Sequence, residues 1–225
     1  SKGGLLFRHL ILKNFKMYQK LSNTTGFRWI MLGTPWYGSY AAVKTIIGQS
    51  NTLRNLRFIS GFVSTKRLLS VFHKYPGILE MLPLNLTNQQ LVGNDALDFT
   101  SKEVWKDIYD NLDNNNNYKW LTPPDDQLSN VGLLKSEIGK IKFGDIDQLI
   151  GSDIYLDKSK IYYIAGNCED TPYKFNSNDH EAWIEDIEYK GDSTVTWVEG
   201  IPEKFSDNNI YYTNSKHDRL LDDNA

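Results

Sequence analysis

The sequence predicts an α/β fold, a mostly parallel sheet flanked by helices. Three observations lead there. Short apolar runs at 27–32, 161–165 and 210–213 read as strands, the first of them buried on both faces. Segments with helical periodicity separate these runs, and strands separated by helices pair in parallel. Two residues able to do chemistry, Asp192 and His217, come after the second and third runs. Open α/β sheets place ligands at such carboxyl ends of strands.

Each element has its own warrant. Residues 5–20 predict a helix: Leu5, Leu6, Phe7, Leu10, Ile11, Phe15 and Tyr18 leave little polar face in the first turns. Lys13, Lys16 and Lys20 fall toward its C-terminus, where they complement the helix dipole. The run 27–32 ends at Gly33-Thr34-Pro35 and leads to a predicted helix over 39–47, with Gly48 as its stop. Residues 52–75 show partial helical spacing through Val63, Leu68, Leu69, Val71 and Phe72, broken by Tyr75-Pro76-Gly77. A short apolar turn covers 78–83. Residues 97–112 read as helix, 114–117 as a polar loop, and 143–150 as a weak helix. Segments 181–189 and 195–198 flank the Gly191-Asp192 loop, and His217 sits just past the last strand. No internal repeat is visible.

The bulk numbers bound the function. A chain of 225 residues supports one sizeable core with an inserted cap. With a net charge of −3 and no basic stripe read along any segment, nucleic acid is not an expected partner. The single cysteine, Cys168, excludes an intrachain disulfide and points to a reducing, cytoplasmic setting. No apolar run reaches the roughly 18 residues needed to span a bilayer. No cluster of ligands at short spacing predicts a metal, and no cofactor is expected. Asp113-Asn114-Asn115-Asn116-Asn117 imitates the start of a calcium loop. Tyr118 stands where glycine belongs and Pro124 where the bidentate glutamate belongs, so it is rejected.

The chemistry gathers at three places. Ser1-Lys2-Gly3-Gly4 matches the second half of a G-x-S-x-G nucleophile elbow. Gly191-Asp192-Ser193-Thr194-Val195 and then His217 lie far downstream, giving the order serine, acid, histidine. Leu32-Gly33-Thr34-Pro35-Trp36-Tyr37-Gly38-Ser39 makes a glycine-rich turn after the first strand. Tyr75-Pro76-Gly77-Ile78-Leu79-Glu80-Met81-Leu82-Pro83, Ile161-Tyr162-Tyr163-Ile164-Ala165-Gly166 and His217-Asp218-Arg219-Leu220-Leu221 complete six blocks in order. Together they resemble the lecithin–cholesterol acyltransferase-like α/β-hydrolases, a group of lipases, phospholipases and acyltransferases.

The resemblance implies an α/β-hydrolase fold with a helical cap. Residues 1–48 and 159–225 would form the hydrolase core and 49–158 a mainly helical cap. The strands upstream of the serine would be absent from this chain, and the missing N-terminal half, in the same or a separate chain, would be a partner. Ser1 would be the nucleophile, His217 its base and Asp192 the residue that orients the imidazole. The backbone N–H of Lys2 would supply one oxyanion donor. Trp36 and Tyr37, with Phe58 and Phe62, are candidates to line an acyl pocket. The expected activity is a serine esterase, lipase or acyltransferase on lipid or other esters, with peripheral membrane contact. Two other readings compete. Ser1 would act as an N-terminal nucleophile with its own amine as base, in an amidohydrolase. Or the chain would be a non-catalytic binding or assembly module. His9, His73 and His180 have no evident chemical role.

Overall fold

The computed structural model describes residues 2–59, 63–84, 97–111, 122–168, 171–174, 184–185 and 190–222. The helix expected over 5–20 is two helices, α1 (Lys2–Lys13) and α2 (Phe15–Ser22). The break is at Asn14, whose side chain accepts from the Met17 N–H at 3.1 Å and caps α2. Strand β1 (Trp29–Leu32) comes next, then α3 (Tyr40–Ile46), capped by the Ser39 hydroxyl. The ambiguous stretch 52–75 resolves into α4 (Asn51–Ile59) and α5 (Thr65–Phe72), which pack through Leu53 and Leu69. The short α6 (Pro76–Leu79) has proline in its first turn, where a missing N–H costs nothing. Then come α7 (Lys102–Asn111) and α8 (Asp125–Ile138).

The weak helix expected at 143–150 is not there. Residues 141–157 form three strands instead: β2 (Ile141–Gly144), β3 (Gln148–Ile150) and β4 (Asp153–Asp157), in the order β2-β4-β3. Asp153-Ile154-Tyr155-Leu156-Asp157 alternates polar and apolar at period two, and its aliphatics turn inward. Strand propensity on one buried face outweighs the three-to-four spacing of Phe143, Ile146 and Ile150. The helical reading of the segment 49–158 therefore ends at Ile138.

The remaining elements are β5 (Ile161–Gly166), β6 (Pro172–Lys174), β7 (Ile184–Glu185), α9 (Trp197–Gly200) and β8 (Ile210–Thr213). Strands β1, β5 and β8 pair in parallel in that order, with Trp29 opposite Ile161 and Tyr163 opposite Ile210. The described residues are thus α/β, with a parallel three-stranded sheet, a mixed three-stranded one and an antiparallel β6-β7 pair. Ile11, Tyr18, Met31, Trp36, Leu156, Ile161 and Tyr163 bury a core that joins α1 and α2 to both sheets. A second core, mostly helical, holds Val43, Ile46, Leu79, Phe99, Trp105 and Val131. Leu12 and Tyr37 pack against both cores and connect them. Among the described residues no helix is long and apolar enough to cross a membrane.

Candidate active site

Asp192 and His217 meet at the carboxyl end of the parallel sheet. The backbone builds their contact before the side chains complete it. Asp192 opens a tight turn in which its Oδ1 accepts from the N–H groups of Thr194 at 3.1 Å and Val195 at 2.7 Å. Ser193 sits at φ 69°, and its N–H donates to Thr171 Oγ1 at 2.9 Å. The Asp192 carbonyl accepts from the His217 N–H at 2.8 Å. Asp192 Oδ2 then lies 2.6 Å from His217 Nδ1. An ionised carboxylate only accepts, so Nδ1 donates and Nε2 is left as the basic nitrogen. The Asp192 side chain is 3% exposed and that of His217 20%, so the imidazole is the member that reaches solvent.

His217 borders an apolar cavity of about 420 Å³. Pro35, Ala42, Phe72, Ile78 and Met81 line it, with Lys2 at its edge. A second hollow of about 530 Å³, edged by Ser50, Asn51 and Lys216, shares His217 and Thr194 with the first. A larger hollow of about 660 Å³ beside Trp197, Phe205 and Tyr212 contains neither dyad residue. The turn after β1 holds the cavity wall in place. Ser39 donates its hydroxyl to the Thr194 carbonyl, tying α3 to the acid loop. The Ser39 N–H donates to the Met81 carbonyl at 2.8 Å, and the Leu84 N–H to the Tyr37 carbonyl at 2.8 Å. Two of the six sequence blocks, 32–39 and 75–83, are therefore in direct contact.

The other expected residues take different places. Ser1 lies outside the described residues. Lys2 is the first residue of α1, so its N–H is one of the four that an α-helix leaves without an internal partner. Gly4 packs against the turn after β1: a Cβ there would stand 2.2 Å from Thr34 Oγ1. Trp36 and Tyr37 do not line the cavity. Trp36 is 1% exposed, wedged between Trp29 and Phe143, with Arg8 donating to its carbonyl. Tyr37 borders a separate hollow beside Ile141 and Tyr155, and its hydroxyl accepts from the Glu203 N–H. Both point into the sheet core because that core, not the cavity, is where aromatic area is buried. Phe58 is 89% exposed, and Phe62, His180 and the calcium-like 113–117 lie outside the described residues. His9 pairs with Glu80 at 2.9 Å, and His73 bonds the Leu69 carbonyl.

Behind the dyad stands a carboxyl that the sequence reading missed. Glu199, on α9, is 6% exposed. Its Oε2 accepts from Thr196 Oγ1 at 3.2 Å, and Thr196 Oγ1 accepts the Glu199 N–H at 3.1 Å. Burial pushes this carboxyl well above its ordinary range, against the hydrogen bonds from Thr196; the nearby Asp192 charge adds to the rise. Burial thus disfavours a second carboxylate charge beside Asp192. Cys168 bridges to Gly191 at the other side of the loop, and burial pushes its thiol up. Among the described residues no group of three or more His, Cys, Asp or Glu could hold a metal ion.

The absence of a basic stripe needs correction. The first acidic residue of the chain is Glu80. The 79 residues before it carry twelve Lys and Arg; the 146 from Glu80 onward carry all 28 Asp and Glu against thirteen Lys and Arg. The net charge of −3 conceals this segregation.

No protein-family model, curated protein or solved structure matches this chain.

Proposed function

We propose that the protein is a serine esterase, lipase or acyltransferase of the α/β-hydrolase kind, acting on lipid or other carboxylic esters through an acyl-enzyme. One observation carries the reading: a carboxylate-oriented histidine opens onto an apolar cavity whose edge is Lys2, the residue covalently next to Ser1. The order of the six blocks and the contact between two of them support it.

These groups define the chemistry. Ser1 Oγ attacks the ester carbonyl carbon while His217 Nε2 takes its proton. Asp192 keeps the imidazole in the Nδ1–H tautomer and stabilises the imidazolium that forms. The Lys2 N–H, at a helix start, faces developing negative charge favourably. His217 returns the proton to the leaving alcohol, and the acyl group stays on Ser1. Water or a second alcohol, deprotonated by the same histidine, then attacks the acyl carbon and frees the serine. Pro35, Ala42, Phe72, Ile78 and Met81 suit an aliphatic acyl chain and exclude water from it. In this reading 1–48 and 159–225 are the catalytic core, and α4 to α8 close over it as a cap. The one cysteine fits a cytoplasmic, reducing setting.

Intact mass after exposure to a fluorophosphonate tests it. A single adduct is expected, mapping to Ser1 and absent from Ser1→Ala and His217→Ala. A protein that stays unlabelled, with and without detergent to open the cap, sinks the reading and leaves the binding-module alternative.

A further inference from the structure

We propose that the α4–α5 pair is a docking surface for an anionic lipid bilayer. It would set the mouth of the His217 cavity against the membrane. The dock rests on charge and exposure alone; only its consequence for substrate access rests on the esterase reading.

The pair and its flanks are basic. Residues 44–79 contain Lys44, Arg54, Arg57, Lys66, Arg67 and Lys74 and no acidic residue. Arg54, Arg57, Lys66, Arg67 and Lys74 are all exposed. A chain with net charge −3 is repelled as a whole from an anionic surface. The exposed cations gathered on α4, α5 and the turn after them change that locally, because this one face can turn toward an anionic surface.

Apolar side chains are exposed on the same segments. Phe58 is 89% exposed and Ile59 80%, adjoining Arg57, while Val71 and Tyr75 are each 50% exposed beside Lys74. Leaving such area in water is unfavourable, so it marks an interaction surface when it is clustered. Basic side chains with apolar ones alongside them are the composition of helices that lie in a bilayer interface. A nucleic acid meets the cations but gives aliphatic Ile59 and Val71 nothing: they neither bond phosphate nor stack on bases. The acyl region of a bilayer receives both.

The pair also adjoins the site. The inner face of α5 carries Phe72 into the apolar cavity, and Ser50 and Asn51, where α4 begins, edge the neighbouring hollow at His217. The helices that carry the basic and apolar surface are thus the rim of the site. An acyl chain leaving a bilayer beneath them has a short apolar path inward.

Vesicle sedimentation with the full chain tests the dock without any need for turnover. Two compositions are compared: phosphatidylcholine alone, and a roughly 3:1 mixture with phosphatidylserine. Binding to the anionic vesicles is expected to be at least tenfold tighter, and to fall steeply between about 0.1 and 0.5 M salt as screening shortens. The triple variant Arg54→Gln/Arg67→Gln/Lys74→Gln is expected to bind about 100-fold more weakly, from about fivefold per basic residue. Phe58→Ser/Ile59→Ser is expected to lose tenfold or more at any salt. The substituted side chains are exposed, so unfolding midpoints should not move. Lys16→Gln/Lys20→Gln on α2 should bind as the parent does. Equal binding to both vesicle types, no binding, loss in the α2 control as large as in the triple variant, or tighter binding to duplex or single-stranded nucleic acid at the same salt would each overturn the proposal.

Discussion

Gly33 lies directly against Asp192: a Cβ on the glycine would stand 2.6 Å from Asp192 Oδ2 and 2.9 Å from His217 Nδ1. The backbone there is at φ +48°, in the left-handed region. The residue just past β1 must therefore have no side chain if the acid and the histidine are to meet. Gly33→Ala is expected to lose about 1–2 kcal/mol from the backbone alone. The displaced carboxylate should cost activity far more than stability. Denaturant unfolding read beside ester turnover checks this: a variant with parental turnover would mean that the dyad moves freely around the added methyl.

Asp192 does two jobs with two oxygens, and Asp192→Asn separates them. The asparagine oxygen can still accept from the Thr194 and Val195 N–H groups, so the loop should survive with little loss of stability. Its amide then faces His217 Nδ1 as a donor, which moves the ring proton to Nε2 and removes the base. Turnover is expected to fall about 10⁴-fold. Asp192→Ala should lose as much activity and a further 1–3 kcal/mol or so of stability, because the loop N–H groups are orphaned. Parallel measurement of turnover and unfolding distinguishes the two. If both variants unfold alike, the loop does not depend on Oδ1.

Much of the sheet was legible, and for a physical reason. The runs at 161–165 and 210–213 are short, rich in Ile and Tyr, and bounded by residues that stop strands. The acid and histidine were legible because a Gly-Asp turn and a post-strand histidine are local signals. The cavity was not: Ala42, Phe72 and the pair Ile78 and Met81 come from three separate segments, and nothing local says they converge. Trp36 and Tyr37 sit beside the site in sequence but turn into the core. Strands β2 to β4 were hidden because Phe143, Ile146 and Ile150 are also spaced as on a helix face. Glu199 gave no signal, since only the fold reveals that Tyr40, Tyr163 and Asp192 lie near it. The charge segregation was fully visible in the sequence and was concealed by its own cancellation.

Asp147 joins the mixed sheet to the parallel one. Its Oδ1 accepts from the Tyr18 hydroxyl at 2.8 Å and the Asp157 N–H at 2.7 Å, and its Oδ2 from Lys160 Nζ at 2.9 Å. Burial works against its ionisation, but the bonds from Asp157, Lys160 and Tyr18 outweigh it and hold the carboxyl below its ordinary 3.8. A carboxyl lowered in the fold stabilises above the ordinary value and loses that contribution as pH falls through the folded value. Asp147→Ala is expected to cost about 2–4 kcal/mol at pH 7. Asp147→Asn should flatten the acid limb of stability below about pH 4. Urea unfolding from pH 3 to pH 7 checks both; an unchanged acid limb in the asparagine variant would assign acid sensitivity to other carboxyls.

Glu199 has the opposite sign. Burial, with the Asp192 charge behind it, raises its carboxyl well above 4.5 in the folded protein, whereas the unfolded chain releases the proton near that value. Between the two the folded state holds one more proton, so stability declines as pH rises from about 4.5 toward the folded value. Glu199→Gln keeps an oxygen for Thr196 Oγ1 and removes the titration. Near pH 4 the variant and parent should be about equally stable. Above that the variant should gain, by at most about 1.4 kcal/mol per pH unit, until the parent's carboxyl ionises. Unfolding at pH 4, 6 and 8 reads the trend directly. A difference independent of pH would mean that burial does not raise the Glu199 carboxyl.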